Sequence, residues 1–114
     1  MITPDDIQLD KTFAALSDPT RRRIVRTLLA GDATVSDLAA PFEMSLAAIS
    51  KHITALANAG LVTQRREGRI KWCRLEIDSL HAASVWMVAF GGFDENDFDQ
   101  VEKSVKMLGL LDPE

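Results

Sequence analysis

Apolar residues recur along this chain with two different periods, and the change of period divides it. Up to residue 60 the spacing is helical, from Leu61 to Ile77 it is closer to strict alternation, and beyond that it is helical again. Ile7, Leu9, Phe13 and Leu16 follow Pro4 at helical intervals and predict a first helix over residues 5–16. Ser17-Asp18-Pro19 interrupts it. Asp18 is suited to cap a second helix and Pro19 to take its first position, where a missing N–H costs nothing. That helix continues through Ile24, Val25, Leu28 and Leu29 to Gly31, and its other face holds Arg21, Arg22, Arg23 and Arg26.

Thr34 to Asp37 has the form of a capping box and opens a short helix over about 35–41, with Val35, Leu38 and Ala39 inward and Pro41 near its end. Phe42-Glu43-Met44 is a turn into the stretch Met44–Gly60. There Met44, Ile49, Ile53 and Leu56 make one apolar stripe, Ser45 caps the first turn, and Gly60 supplies the left-handed residue that stops the helix. The outer face, with Ser45, Ala47, Ala48, Ser50, Lys51 and Thr54, is small and polar where an ordinary solvated face favours Glu, Lys and Gln. Short side chains let a helix approach a close partner such as a DNA groove. Two helices joined by so short a turn make a helix-turn-helix pattern.

After Gly60, residues 61–66 and 70–77 read as a β-hairpin turning at Glu67-Gly68, with Cys73, Leu75 and Ile77 on one side and Arg65, Arg66 and Arg69 crowding the tip. Asp78 is placed to cap a helix over 79–90 that is apolar nearly all round, from Leu80 and Ala83 to Val85, Trp86, Met87, Val88, Ala89 and Phe90. Such a helix implies burial on more than one side. In a domain this small it would leave a large exposed patch unless a second copy covered it. Gly91-Gly92 breaks this helix, and Phe98, Val101, Val105 and Leu108 predict a last amphipathic helix over about 95–109. The expected fold is mainly α with a small β-hairpin wing, an α+β arrangement. Residues 1–92 would form the functional domain and residues 93–114 an acidic helical extension of it.

Length and charge sharpen this picture. At 114 residues the chain is expected to be one domain, and its 46% hydrophobic and 26% charged content suits a soluble globular protein. No run approaches the roughly 18 apolar residues of a membrane span, and the first residues lack the regions of a signal peptide, so a cytoplasmic location with no membrane partner is expected. The net charge of −4, taken alone, opposes nucleic acid as a partner. However, residues 94–114 hold seven acids against Lys103 and Lys106, a net of −5, which leaves the first 93 residues at +1. Their positive charge is clustered at Arg21–Arg26 and at Arg65, Arg66, Arg69, Lys71 and Arg74.

At this point the ordered set Leu16-Ser-Asp-Pro-Thr-Arg-Arg-Arg-Ile24, Val35-Ser-Asp-Leu-Ala39, Ser45 to His52, Ala59-Gly-Leu-Val62 and Arg65-Arg-Glu-Gly-Arg69 resembles the ArsR/SmtB family across about residues 10–90. The resemblance implies a winged helix-turn-helix repressor that works as a homodimer on palindromic double-stranded DNA. Ser45, Ala47, Ala48, Ser50, Lys51, His52 and Thr54 then become candidate DNA contacts in the major groove, and Arg65, Arg66 and Arg69 candidate wing contacts. Arg22, with Arg21 and Arg23, either meets phosphate or pairs with acids such as Asp18 or Asp37. In the family the first and penultimate helices form the dimer, which makes Phe13, Trp86, Phe90 and Phe93 the expected anchors. His52 resembles a histidine the family often carries there, with a structural or phosphate-binding role ahead of a metal one.

Many relatives are metal sensors, and this chain departs from them. The stretch Thr34-Val35-Ser36-Asp37-Leu38 lacks the paired cysteines of one sensor site. Asp78 and His81 could begin the other, but positions 91 and 92 are glycines and no later histidine follows. A set of three N, O or S ligands is not visible, so no metal or cofactor is expected. Cys73 reads as a buried strand residue or, with arginine neighbours, a redox switch. Two histidines far apart, one cysteine and no phosphate-binding glycine loop leave no catalytic set. Two readings stay open beside the metal-independent repressor: a winged-helix module that binds a protein, and a repressor released by a small molecule or metalloid. The acidic tail reads as a solvated helix face or, alternatively, as a segment that folds against the dimer helices or mimics DNA charge.

Overall fold

The computed structural model describes residues 2–91, so Phe93 and the helix expected over 95–109 lie outside the described residues. The elements run in the order α1 (Pro4–Ala15), α2 (Pro19–Leu29), β1 (Ala33–Thr34), α3 (Val35–Ala39), α4 (Leu46–Asn58), β2 (Val62–Glu67), β3 (Ile70–Leu75) and α5 (Ile77–Gly91). Local chemistry sets the helix starts. Thr3 and Asp6 form a capping box on α1, Asp18 accepts from the amides of Thr20 and Arg21 with Pro19 next to it, and Thr34 and Asp37 form the capping box on α3. Ser45 accepts from the Ala48 amide at the start of α4. Gly60, at φ +78°, ends that helix in a backbone region that any side chain would strain.

One core lies where α2, α3 and α4 meet the sheet. Ile24, Leu38, Ile49, Ile53, Leu56, Leu61, Val62 and Cys73 are its innermost side chains. The sheet has a strand the hairpin reading missed. Two-residue β1 pairs antiparallel with β3, giving the order β1-β3-β2 and the registers Ala33↔Cys73 and Gln64↔Cys73. A pair of residues carries too little periodicity to be read as a strand; its pairing comes from the tertiary fold. The turn between β2 and β3 falls one residue later than expected, because Glu67 pairs with Ile70 and Gly68 takes φ +64°.

Further expectations are corrected. Met44 precedes α4 and is exposed, so the stripe buried by that helix begins at Ile49. Ile77 is the exposed first residue of α5 rather than a strand residue, and Asp78 lies in the first turn instead of capping it. Gly91 closes α5 as a helical residue. On α1 and its C-cap, Thr12 and Ala15 are buried, Leu9 and Leu16 are half-buried, and Ile7 and Phe13 are exposed. Among the described residues no helix is long and apolar enough to cross a membrane.

Candidate nucleic-acid interface

The helix-turn-helix unit is α3 and α4 with residues 40–45 between them. From Ile49 onward α4 is anchored by Ile53 and Leu56, each at most 1% exposed, so its axis is fixed by the core. Its first turn projects past that core. Ser45, Leu46 and Ala47 are exposed there, and Ala47, Lys51, Thr54 and Asn58 continue as an exposed row at spacings of four, three and four. Ala48, Ser50 and His52 are half-buried at the flanks of this row. Leu46 was missed by the sequence reading, although its 54% exposure puts a large apolar side chain at the leading end of the helix. Its spacing to Ile49 and Ile53 matches the core stripe, and only the protrusion of the first turn separates it from them.

The C-terminal end of α4 is tied to two other helices. The Gln8 side-chain amide of α1 donates to the Ala59 carbonyl at 2.7 Å, and the Ser79 hydroxyl of α5 donates to the Gly60 carbonyl at 2.9 Å. These bonds satisfy carbonyls that a helix terminus leaves open. They also fix α4 to the α1–α5 layer.

Arg21 and Arg22 donate to carbonyls, and among the described residues neither forms an ion pair with Asp18 or Asp37, although the Arg21 charge still acts on Asp18. Arg21 Nε donates to the Ala15 carbonyl at 2.6 Å and Nη2 to that of Ala14 at 3.4 Å, while Arg22 Nη1 donates to the Leu16 carbonyl at 2.8 Å. A guanidinium at a helix C-terminus meets both open acceptors and the negative end of the dipole. Arg23 lies over the Phe42 ring, 4.6 Å from its centroid. His52 Nδ1 is 4.0 Å from Asp18 Oδ1, which links α4 to the cap of α2. The Arg21 amide above all, with His52 and the Thr20 amide, holds the Asp18 carboxyl below its usual range.

On the wing the three expected arginines part company. Arg65 donates from Nη1 to Asp32 at 2.8 Å and from Nε to Glu67 at 3.2 Å, and its guanidinium lies 5.6 Å from the centroid of Trp72. Arg66 and Arg69 are exposed and form no ion pair among the described residues, and the same holds for Lys51 on α4. Cys73 is fully buried in β3, and burial pushes its thiol up from the ordinary value, which favours the inert strand residue over the redox switch.

Phe13 and Trp86 meet edge to face at 5.8 Å between ring centroids, 36% and 42% exposed respectively. Phe90 lies in the last turn of α5. Among the described residues no group of three or more His, Cys, Asp or Glu side chains could hold a metal ion.

Residues 18–64 match the family described as bacterial regulatory protein, arsR family. The chain is 35% identical over 89 residues to the transcriptional repressor SdpR of Bacillus subtilis, covering 78% of this chain and 99% of that protein. An ArsR-like transcriptional regulator from Rhodococcus sp. RHA1 superposes with a TM-score of 0.66 at 31% identity, over 90% of this chain and 92% of that one. A homodimeric winged helix-turn-helix DNA-binding domain from Mycobacterium bovis, a possible ArsR-family transcriptional regulator, superposes with a TM-score of 0.62 at 32% identity, over 73% of this chain and 79% of that one.

Proposed function

The chain belongs to the ArsR family of bacterial regulatory proteins, a family of DNA-binding transcriptional regulators and not enzymes, and from that premise we propose a homodimeric, metal-independent repressor of a palindromic operator. The observation that carries this reading is the pairing of two surfaces. The first turn of α4 is exposed, the wing cations Arg66 and Arg69 form no ion pair among the described residues, and α1 and α5 carry exposed apolar side chains that could join two copies. Residues 1–92 act as the DNA-binding and dimerisation domain, with 93–114 its acidic extension.

In this reading Ser45, Ala47, Ala48, Ser50, Lys51 and Thr54 enter the major groove. Hydroxyls and Lys51 reach base edges or phosphates, and Leu46 and the alanine methyls suit the methyl group of thymine. Arg66 and Arg69 follow the phosphate backbone beside it. His52 and Arg22 serve the frame through Asp18 and the Leu16 carbonyl. Two copies related by a two-fold axis would read half-sites about 34 Å apart, one turn of DNA. Repression follows from occupying the operator against polymerase. Metal independence is read from the sequence: residues 34–38 lack paired cysteines, and positions 91 and 92 are glycines.

The test is a titration of the full chain against duplexes from its own promoter region at several salt concentrations, with and without added divalent metal. Preference for one palindromic duplex, affinity that falls with salt, and no change with metal are expected. Binding without sequence preference, or release by metal, would overturn the respective part. Unchanged DNA behaviour on replacing Lys51, Arg66 and Arg69 together with alanine would favour a protein-binding module instead.

A further inference from the structure

The wing contains an arginine whose charge is already spoken for. Thr34 of β1, Trp72 of β3 and Arg65 of β2 lie directly opposite one another across the sheet, so their side chains share one face. Asp32 stands immediately before β1, at the far edge from Arg65. The two edges are about 9.6 Å apart, two interstrand spacings of roughly 4.8 Å. An extended arginine crosses that width over the Trp72 ring and meets Asp32 at 2.8 Å, while its Nε remains turned to Glu67 at 3.2 Å. Lysine would have the charge, but no second donor in the same plane for Glu67.

Arg66, the next residue, has the opposite circumstances. It pairs across the hairpin with Lys71 on the other face of the sheet, in a row of like charge with no carboxylate partner among the described residues. Like charges directly opposite one another are destabilising, and a phosphate between them relieves the repulsion. The two neighbouring arginines therefore differ in what they can offer to DNA: Arg65 would have to leave two carboxylates, and Arg66 nothing.

We propose that Arg65 is a positioning residue, a strap that with Asp32 fixes the angle of the wing across the three-stranded sheet, and that the phosphate-binding cations of the wing are Arg66 and Arg69. This rests on the DNA-binding reading above and divides its wing between holding and contacting. Asp32, which precedes the wing by thirty residues, then becomes a determinant of operator affinity without touching DNA.

The experiment compares Arg65→Ala, Asp32→Ala, their double, and the exchange Asp32→Arg/Arg65→Asp with Arg66→Ala and Arg69→Ala, by operator titration over a salt series. Arg66→Ala and Arg69→Ala should each lower the slope of log K against log salt by about 0.9, the signature of a lost phosphate contact. Arg65→Ala and Asp32→Ala should each weaken binding by about three- to tenfold with the slope kept, the double should be no worse than either, and the exchange should restore affinity. A slope reduced by about 0.9 in Arg65→Ala, or affinity unchanged or raised in Asp32→Ala while Arg66→Ala and Arg69→Ala do weaken binding, would overturn the strap. The indole N–H resonance of Trp72, identified through Trp72→Phe, gives a readout without DNA: it should shift alike in Arg65→Ala and Asp32→Ala. Should no variant alter DNA binding, the repressor reading fails by itself; shared resonance shifts would still support the strap, and unequal ones would refute it.

Discussion

Helices α4 and α5 are close in length, 13 and 15 residues, yet the more hydrophobic of the two is the less buried. α4 carries one apolar stripe and hides all of it from Ile49 to Leu56. α5 is apolar on every side, but of its residues 80–89 only Ala83 is fully covered, while Val85, Trp86, Met87 and Val88 stand 42–52% exposed. Four consecutive residues at about 100° each sweep most of the helix circumference. The contrast separates two uses of hydrophobic sequence. α4 is finished within one chain and is held there as a rigid reader. On the homodimeric reading, α5 is half of a core whose other half is its copy.

The harshest way to break this comparison is to charge α5. Trp86→Glu should leave the α2–α4 core folded and abolish dimerisation, with operator affinity falling at least about 100-fold as the linked second reader is lost. Sedimentation and DNA titration check this together. In the native chain the thermal midpoint should rise with protein concentration, and in the variant it should not. Retained dimers would mean that α1 and α5 are not the joining layer.

Ile53→Ala attacks the finished half. The side chain is 1% exposed and central to α4, so its loss should cost about 2–5 kcal/mol, read by denaturant unfolding. Unlike Trp86→Glu, it should lower stability whether or not the chain is dimeric. Lys51→Ala on the exposed row of the same helix should do the reverse, changing stability by less than about 0.5 kcal/mol while lowering the salt slope of operator binding by about 0.9. An unchanged slope would remove Lys51 from the set of phosphate contacts.

The same contrast explains how much the sequence revealed. Helix starts were legible because Asp18-Pro19, Thr34 to Asp37 and Ser45 act within four residues of themselves. The interior of α4 was legible because its stripe is buried by its own chain. Errors arose where burial depends on distant neighbours. Met44 and Leu46 have core spacing but project beyond the core, and β1 exists only through its pairing with β3. The wing arginines are identical in sequence, and only the partner at Asp32, far off in the chain, sets Arg65 apart from Arg66. Charge clusters reveal where a basic face lies, but not which of its members are already bound.

The smallest effect tests the joint between the two halves of the helix-turn-helix frame. Asp18 caps α2 and also faces His52 of α4 at 4.0 Å. Asp18→Ala should therefore cost about 1 kcal/mol at neutral pH, the usual loss for an N-cap. The pH dependence has a definite sign. The folded state holds the Asp18 carboxyl below its usual range, so the cap contributes stability above the unfolded carboxylate value of about 3.9 and loses it as pH falls further, through the folded value. The gap between native and Asp18→Ala thermal midpoints should thus be constant near neutrality and narrow below about pH 4. A gap that closes between pH 7 and 5, well above the carboxylate range, would show that the Asp18 carboxylate is not what holds this joint.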